Sequence, residues 1–195
     1  MTDKIILASA SPRRRDLLTL MGLTFEVNPS KREEVITKSE PDAVVEELSF
    51  QKAEDIAGKT DNGLVIGSDT VVTIDGKILG KPATREEAIA MIRSLSGRVH
   101  EVYTGVTLIE RENGRTVWTE TFSEKADVKV MPLSEAEIEG YVDRGESMDK
   151  AGAYGIQGYF SVFVEEIKGE YATVLGLPVA GLYRRLRSRG GTLHA

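Results

Sequence analysis

Short apolar runs alternate with amphipathic segments along this 195-residue chain. Residues 4–8 and the most apolar run, residues 64–74, predict two buried strands. Ser11 and Pro12 follow the first strand, which predicts a helix with a serine cap and a proline at its first position. Gly22 predicts the end of that helix. Because strands and helices alternate, the pattern predicts an α/β protein.

Turn signals predict which strands are antiparallel neighbours. Asp75-Gly76 and Asn113-Gly114 are typical of two-residue hairpins, so residues 99–110 and 116–130 are expected to pair. A last hairpin is expected across Lys168-Gly169, between residues 159–164 and 170–174. Helices are predicted over residues 41–59, 84–94, 134–145 and 178–189, two of them after capping boxes at Thr84/Glu87 and Ser134/Glu137. The hairpins argue against an all-parallel sheet, so the sheet is predicted to be mixed.

Composition narrows the function classes. The chain has 25 basic and 31 acidic residues, a net charge of −6, and no cysteine. A disulfide scaffold, a thiol nucleophile and a cysteine zinc site are therefore excluded. The acidic balance argues against nucleic-acid binding, and the short apolar runs argue against a membrane span. With no signal-peptide pattern at the start, we expect a cytoplasmic protein of one domain, or at most two small lobes.

The segment from Ser9 to Arg15 is the first candidate site. Two hydroxyls, Ser9 and Ser11, precede a helix whose first turn carries Arg13, Arg14 and Arg15. Cations are unfavourable at a helix N-terminus unless an anion binds there. Hydroxyls, free amides and guanidinium groups together suit a phosphate, which we favour over a capped surface helix with solvated arginines.

Asp69 is the second candidate, because it lies inside the most apolar run of the chain. A buried carboxylate is costly unless it is paired or binds a metal. It could hold a divalent cation or orient a water as a base. It could equally be a structural aspartate that accepts backbone amide hydrogen bonds at a bulge.

Three further features carry weaker signals. Lys52 lies mid-helix and Lys81 lies between Gly80 and Pro82, and each could simply be solvated. The glycine-rich residues 149–158 permit close approach to a flat ligand, and the amide of Gln157 could pair with the edge of uracil or thymine; a turn is the alternative. We interpret the acidic pair Glu33-Glu34 as part of a solvated loop and His100 as a residue on a strand face. The basic residues of the last helix complement its own dipole.

Together these segments resemble the Maf family of nucleoside triphosphate pyrophosphatases. The matching pieces, in the family's order, are LASASPRR at 7–14, QKA at 51–53, IGSDTVV at 66–72, LGKP at 79–82, LSG at 95–97, TGV at 104–106, DKAGAYGIQG at 149–158 and GLP at 176–178. The AYGIQG form resembles the subfamily acting on dTTP and UTP, whereas a sister subfamily acting on 7-methyl-GTP lacks this run.

The resemblance implies a fold and a set of residue roles. The fold would be a mixed α/β sheet with flanking helices, forming two lobes around a cleft, similar to inosine triphosphatase. Asp69 would be the catalytic acidic residue, acting as proton acceptor, and, with Glu34, a ligand of Mg²⁺ or Mn²⁺. Substrate-binding positions would be Ser9, Ser11, Arg13, Arg14, Lys52, Thr70, Lys81 and Gln157, with Arg13, Thr70 and Gln157 setting pyrimidine specificity.

The implied reaction is hydrolysis of dTTP and UTP, and of modified pyrimidine nucleotides, to the monophosphate and pyrophosphate. The implied partner is the nucleoside triphosphate, and a homodimer is expected. Two alternatives stand beside this one. The chain could be a nucleotide-binding regulator of cell division that acts through a protein partner on its basic last helix, or a pyrophosphatase that removes damaged or modified nucleotides.

Overall fold

The computed structural model describes residues 4–190 and shows a mixed sheet with flanking helices. The strands are β1 (Ile5–Leu7), β2 (Glu26–Val27), β3 (Gly63–Ile74), β4 (Lys77–Leu79), β5 (Val99–Glu112), β6 (Arg115–Val130) and β7 (Val164–Lys168). The helices are α1 (Pro12–Leu20), α2 (Pro41–Ala57), α3 (Arg85–Leu95), α4 (Glu135–Val142), α5 (Tyr171–Leu175) and α6 (Val179–Ser188). The predicted fold class is confirmed.

The sheet has the strand order β2-β1-β3-β5-β6-β7, and β4 pairs with β3. β1 is parallel to β2 and β3, whereas β3–β4 and β6–β7 are antiparallel. The two predicted hairpin turns are present. Their central residues have positive φ, 52° and 71° at Asp75-Gly76 and 50° and 73° at Asn113-Gly114, as a type I′ turn requires.

The described residues form two compact units that interleave along the chain. Unit one comprises residues 4–69, 104–124 and 176–190, and unit two comprises residues 70–103 and 125–175. Strands β3, β5 and β6 each contribute residues to both units. The division agrees with two lobes, while a single domain over residues 1–195 and a cleft stay predictions.

In unit one, helix α2 lies unusually close to the sheet. A Cβ on Gly67 of β3 would lie 2.3 Å from the Ser49 carbonyl oxygen, and one on Gly105 of β5 would lie 2.3 Å from the Val45 carbonyl oxygen. Both distances are well inside van der Waals contact, so only glycine fits at either position. The backbone of α2 therefore rests directly on two neighbouring strands.

In unit two, buried aromatic side chains form a cluster that includes one residue of the segment 150–158. Tyr154, Phe160 and Tyr141 are buried, and the rings of Tyr154 and Phe160 lie 4.5 Å apart. His100 on β5 is buried as well, with its Nε2 2.7 Å from the Tyr154 hydroxyl oxygen. Its place on a strand face agrees with the sequence interpretation. Burial lowers the pKa of His100 to about 4, so the ring is neutral in the folded protein.

Three sequence expectations differ from the structure: the last hairpin, the cap of α1 and the capping box at Thr84. Residues 159–164 and 170–174 do not pair as a hairpin: Tyr159–Phe163 is a 3₁₀ helix and Tyr171–Leu175 is α5. The strand in this region is β7, which takes its partner from β6 at residues 127–130. A long-range partner thus outweighed the local turn signal at Lys168-Gly169.

The second error concerns the cap of α1. Ser11 occupies the N-cap position, but its side chain makes no capping hydrogen bond. Ser9 instead accepts from the Ser11 backbone N–H, at 3.3 Å. The Ser134/Glu137 capping box forms in full. At Thr84, the side chain accepts from the Glu87 N–H as predicted, whereas the Glu87 carboxylate accepts from Ala83.

Folding stability should depend on pH through His100. The folded pKa of about 4 lies below the unfolded value near 6.5, so stability is fully present above pH 6.5 and declines as the pH falls towards 4. Between pH 6.5 and pH 4, we expect His100 alone to lower the free energy of unfolding by about 3 kcal/mol. Urea unfolding of wild type and His100→Gln at several pH values measures it. Parallel pH profiles for the two proteins would refute this assignment.

Candidate functional site

The entry to α1 is held by a small hydrogen-bond network in unit one. Arg14 folds back and donates from Nη1 to Ser9 Oγ, at 2.9 Å, and from Nε to the Gly176 carbonyl, at 2.8 Å. Ser68 Oγ donates to the same carbonyl, at 2.8 Å. The end of β1, the start of α1, strand β3 and the segment before α6 are therefore tied together at one point.

Positive charge accumulates at this end of α1. Its first turn holds Arg13, Arg14 and Arg15 and no acidic residue. Burial lowers the pKa of the Arg14 guanidinium, and neighbouring Arg13 lowers it further, while Asp69 and Glu34 raise it. Arginine nevertheless stays charged in proteins. A partly desolvated cation at the positive end of a helix dipole is favourable only beside an anion, so the arrangement suits phosphate.

Lys52 on α2 lies between two carboxylates of unit one. Its Nζ donates to Asp69 Oδ1 and lies 2.9 Å from Glu34 Oε1. The side chains of Lys52 and Asp69 are only 19% and 13% exposed, whereas that of Glu34 is 49% exposed. Asp69 is thus an inward-facing carboxylate with a lysine partner, and the alternative of a purely backbone-bonded aspartate does not describe it.

The carboxylates of Asp69 and Glu34 also fit a divalent cation. Both offer hard oxygen donors, and both reach the same ammonium group. Among residues 4–190, no group of three or more His, Asp or Glu side chains is placed to hold a metal. Mg²⁺ commonly takes one or two carboxylates and completes its shell with water and substrate phosphates, so two carboxylates are sufficient.

The other predicted positions lie in unit two. Thr70 is half-buried on β3, Lys81 is exposed just after β4, and Gln157 is exposed in the turn before the second 3₁₀ helix. The Gly152 N–H donates to the Gly80 carbonyl, at 3.1 Å, which ties the segment of Gln157 to that of Lys81.

The structure thus brings seven predicted residues together in unit one and places three in unit two. The seven are Ser9, Ser11, Arg13, Arg14, Glu34, Lys52 and Asp69. Sequence reasoning missed the Gly176 carbonyl and Ser68. A backbone carbonyl leaves no trace in residue type, and Ser68 could be noticed only as the neighbour of Asp69.

The basic last helix is engaged within unit one. Arg184, Arg185 and Arg189 pair with Glu124, Glu120 and Glu110, respectively. Arg185 also stacks on Phe122, at 3.5 Å from the ring centroid. These pairs give α6 a structural role that the dipole argument did not include. Within residues 4–190, no helix is both long and apolar enough to cross a bilayer.

Comparison with known proteins gives consistent matches over nearly the whole chain. A family model described as Maf-like protein matches residues 4–189. A protein named dTTP/UTP pyrophosphatase from Agathobacter rectalis is 48% identical over 201 residues, covering 96% of this chain and 98% of that protein. Proteins of the same name from Carboxydothermus hydrogenoformans and Bacillus mycoides are each 49% identical, covering 96% and 94% of this chain and 99% and 94% of their own.

Solved structures give weaker matches. The match to the Staphylococcus aureus Ham1 protein covers 65% of this chain and 71% of the Ham1 chain, at 14% identity and a TM-score of 0.46. A HAM1 protein from Coxiella burnetii covers 65% and 72%, at 20% identity and the same TM-score. Likeness at this level adds nothing to the assignment.

The close approach of α2 should matter for both stability and activity. In Gly67→Ala the new Cβ would collide with the Ser49 carbonyl and displace α2, and Lys52 with it. We expect a loss of about 1–3 kcal/mol of unfolding free energy together with reduced activity. Gly140→Ala on α4 is the control, because its Cβ would meet nothing within 4 Å. Urea unfolding of both variants tests this, and equal stabilities would contradict it.

Proposed function

This chain belongs to the Maf family, and we propose that it is a nucleoside triphosphate pyrophosphatase acting on dTTP and UTP. Water would hydrolyse the anhydride bond between the α- and β-phosphates, releasing the monophosphate and pyrophosphate. The observation that carries this proposal is the pairing of inward-facing Asp69 with Lys52, within the same unit as the arginine-bearing start of α1. The names of the relatives that are nearly half identical support the substrate class. We place the reaction in the cytoplasm.

The cationic groups of unit one would bind the triphosphate. Arg13 and Arg14 lie at the positive end of α1, beside the hydroxyls of Ser9 and Ser11. Fixed cations aimed at developing phosphate charge stabilise a transition state without needing to reorganise. Arg14 is already fixed by Ser9 and Gly176, so little side-chain freedom is lost when the substrate arrives.

Asp69 is our candidate general base, and Lys52 its neighbouring cation. The carboxylate would accept the proton of the attacking water, while its hydrogen bond from the ammonium orients it. Asp69 and Glu34 would also hold Mg²⁺ or Mn²⁺, which when bound neutralises charge on the phosphate oxygens. In that state the ammonium of Lys52 would be shared between these carboxylates and the substrate.

We assign recognition of the substrate's nucleobase to residues of unit two. The amide of Gln157 is exposed and offers both a donor and an acceptor, as the edge of uracil or thymine requires. Thr70 and Lys81 would complete the substrate contacts of this unit. Gly152 supports this role, because its φ of 68° and its contact with Val72 leave no room for a side chain and hold the segment in one path.

Replacing Asp69 tests the chemical step. In Asp69→Asn the general base is lost, and Lys52 loses its carboxylate partner. Pyrophosphate release from UTP and dTTP should therefore fall by roughly 100-fold or more. The matched control is Asp61→Asn on the exposed turn before β3, which should keep wild-type turnover. Turnover in Asp69→Asn near that of the control would overturn the assignment.

Replacing Gln157 tests base recognition. In Gln157→Ala the preference for UTP and dTTP over CTP and GTP should fall by roughly 10- to 100-fold in kcat/KM, because a hydrogen-bonding partner of the base is lost. Turnover at saturating substrate should change less than this ratio. A variant that discriminates among the four nucleotides as wild type does would remove Gln157 from the site.

A further inference from the structure

Residues 30–37, which we call the strap, lie along helix α2 and carry Glu34. Successive strap residues contact successively earlier helix residues, so the strap runs antiparallel to the helix. The contacts are Ser30 Oγ to Asp55 Oδ2 at 2.7 Å, Arg32 Nη1 to Glu54 Oε2 at 2.7 Å, Glu34 to Lys52 at 2.9 Å, Val35 to Gln51, and Thr37 to Glu47. Every one of these contacts is polar.

The strap depends on these contacts for its position. Residues 31–37 are all exposed and form neither helix nor strand. Exposed hydrogen bonds and ion pairs are individually weak, and an exposed segment gains little from burial. The single Lys52–Glu34 ion pair, with Glu34 half-exposed, is therefore a poor means of holding the carboxylate in place by itself.

Gln51 makes a different kind of contact, because it binds backbone. Its Oε1 accepts from the Val35 N–H, at 3.0 Å, and its Nε2 donates to the Val35 carbonyl, at 2.6 Å. The side-chain amide of Gln51 thus binds both the N–H and the carbonyl of Val35, as a residue of a neighbouring strand would. Gln51 precedes Lys52 and Val35 follows Glu34, so this clamp lies immediately beside the carboxylate.

We propose that Gln51 is a positioning residue that sets where the Glu34 carboxylate stands relative to Asp69, and thereby sets the affinity of the site for a divalent cation. The inference rests on the proposed role of Asp69 and Glu34 as ligands of that cation. Both polar groups of the Gln51 side chain bind Val35, so we give Gln51 a positioning role and not a catalytic one. It acts through the backbone of Val35, which fixes the direction in which Glu34 leaves the strap.

The first measurement is structural and needs no substrate. Amide hydrogen exchange of residues 31–37 should be roughly 10-fold faster in Gln51→Ala than in wild type, because two hydrogen bonds are lost together. Gln51→Glu should be intermediate, since a carboxylate accepts from the Val35 N–H but repels its carbonyl. Asp42→Asn, an exposed change in the first turn of α2, is the control and should match wild type.

The second measurement follows the cation directly. Titration of the protein with Mn²⁺, read by electron paramagnetic resonance, should show weaker binding by a similar factor in Gln51→Ala. The double variant Gln51→Ala/Glu34→Gln should bind no more weakly than Glu34→Gln alone, because the clamp acts only through Glu34. In the pyrophosphatase assay, Gln51→Ala should need more Mg²⁺ for half-maximal rate and approach the wild-type rate at saturating Mg²⁺.

Two outcomes would overturn the proposal. One is unchanged exchange of residues 31–37 in Gln51→Ala. The other is faster exchange with wild-type Mn²⁺ affinity, which would make the clamp purely structural. A wild-type protein that binds Mn²⁺ but hydrolyses no nucleotide would refute the pyrophosphatase function and leave the Gln51 inference to be judged on exchange and Mn²⁺ binding alone.

Discussion

The direct contact between the backbone of α2 and two strands is the constraint on which the rest of unit one depends. Gly67 and Gly105 let the helix settle where any side chain would hold it away. At that separation the four-carbon stem of Lys52 reaches Asp69 on β3, and the polar face of the helix becomes the support for the strap. Close packing of a helix on a sheet therefore determines the geometry of a charged site.

The start of α1 is positively charged, whereas the protein as a whole is negatively charged. The net charge is −6, yet the start of α1 concentrates guanidinium groups against a helix dipole of the same sign. Asp69 and Glu34 partly offset these cations and bring them into one cluster with Lys52. A local basic region of this kind attracts a highly charged anion even though the net charge of the protein is negative.

Much of this could be predicted from the sequence, and the errors have a common cause. The hairpin at Asp75-Gly76 and the helix after Ser11 follow from signals within a few residues, and both formed. The prediction for residues 159–174 failed because β7 forms by pairing with β6, more than thirty residues earlier in the chain. The same limit hid the Gly176 carbonyl and the clamp of Gln51, since neither partner can be recognised from its own neighbours. Motif resemblance pointed to Asp69, Lys52 and Glu34, but not to the contacts that hold Glu34 beside the other two.

The hydrogen bond from Arg14 to the Gly176 carbonyl joins groups 162 residues apart in sequence. During synthesis Arg14 leaves the ribosome long before Gly176 does. A nascent chain therefore passes through a stage in which the guanidinium of Arg14 still lacks one of its anchors. The start of α1 therefore reaches its final geometry only once Gly176 is present, and a chain cut before Gly176 carries these charges without the contact that holds Arg14 to the segment before α6.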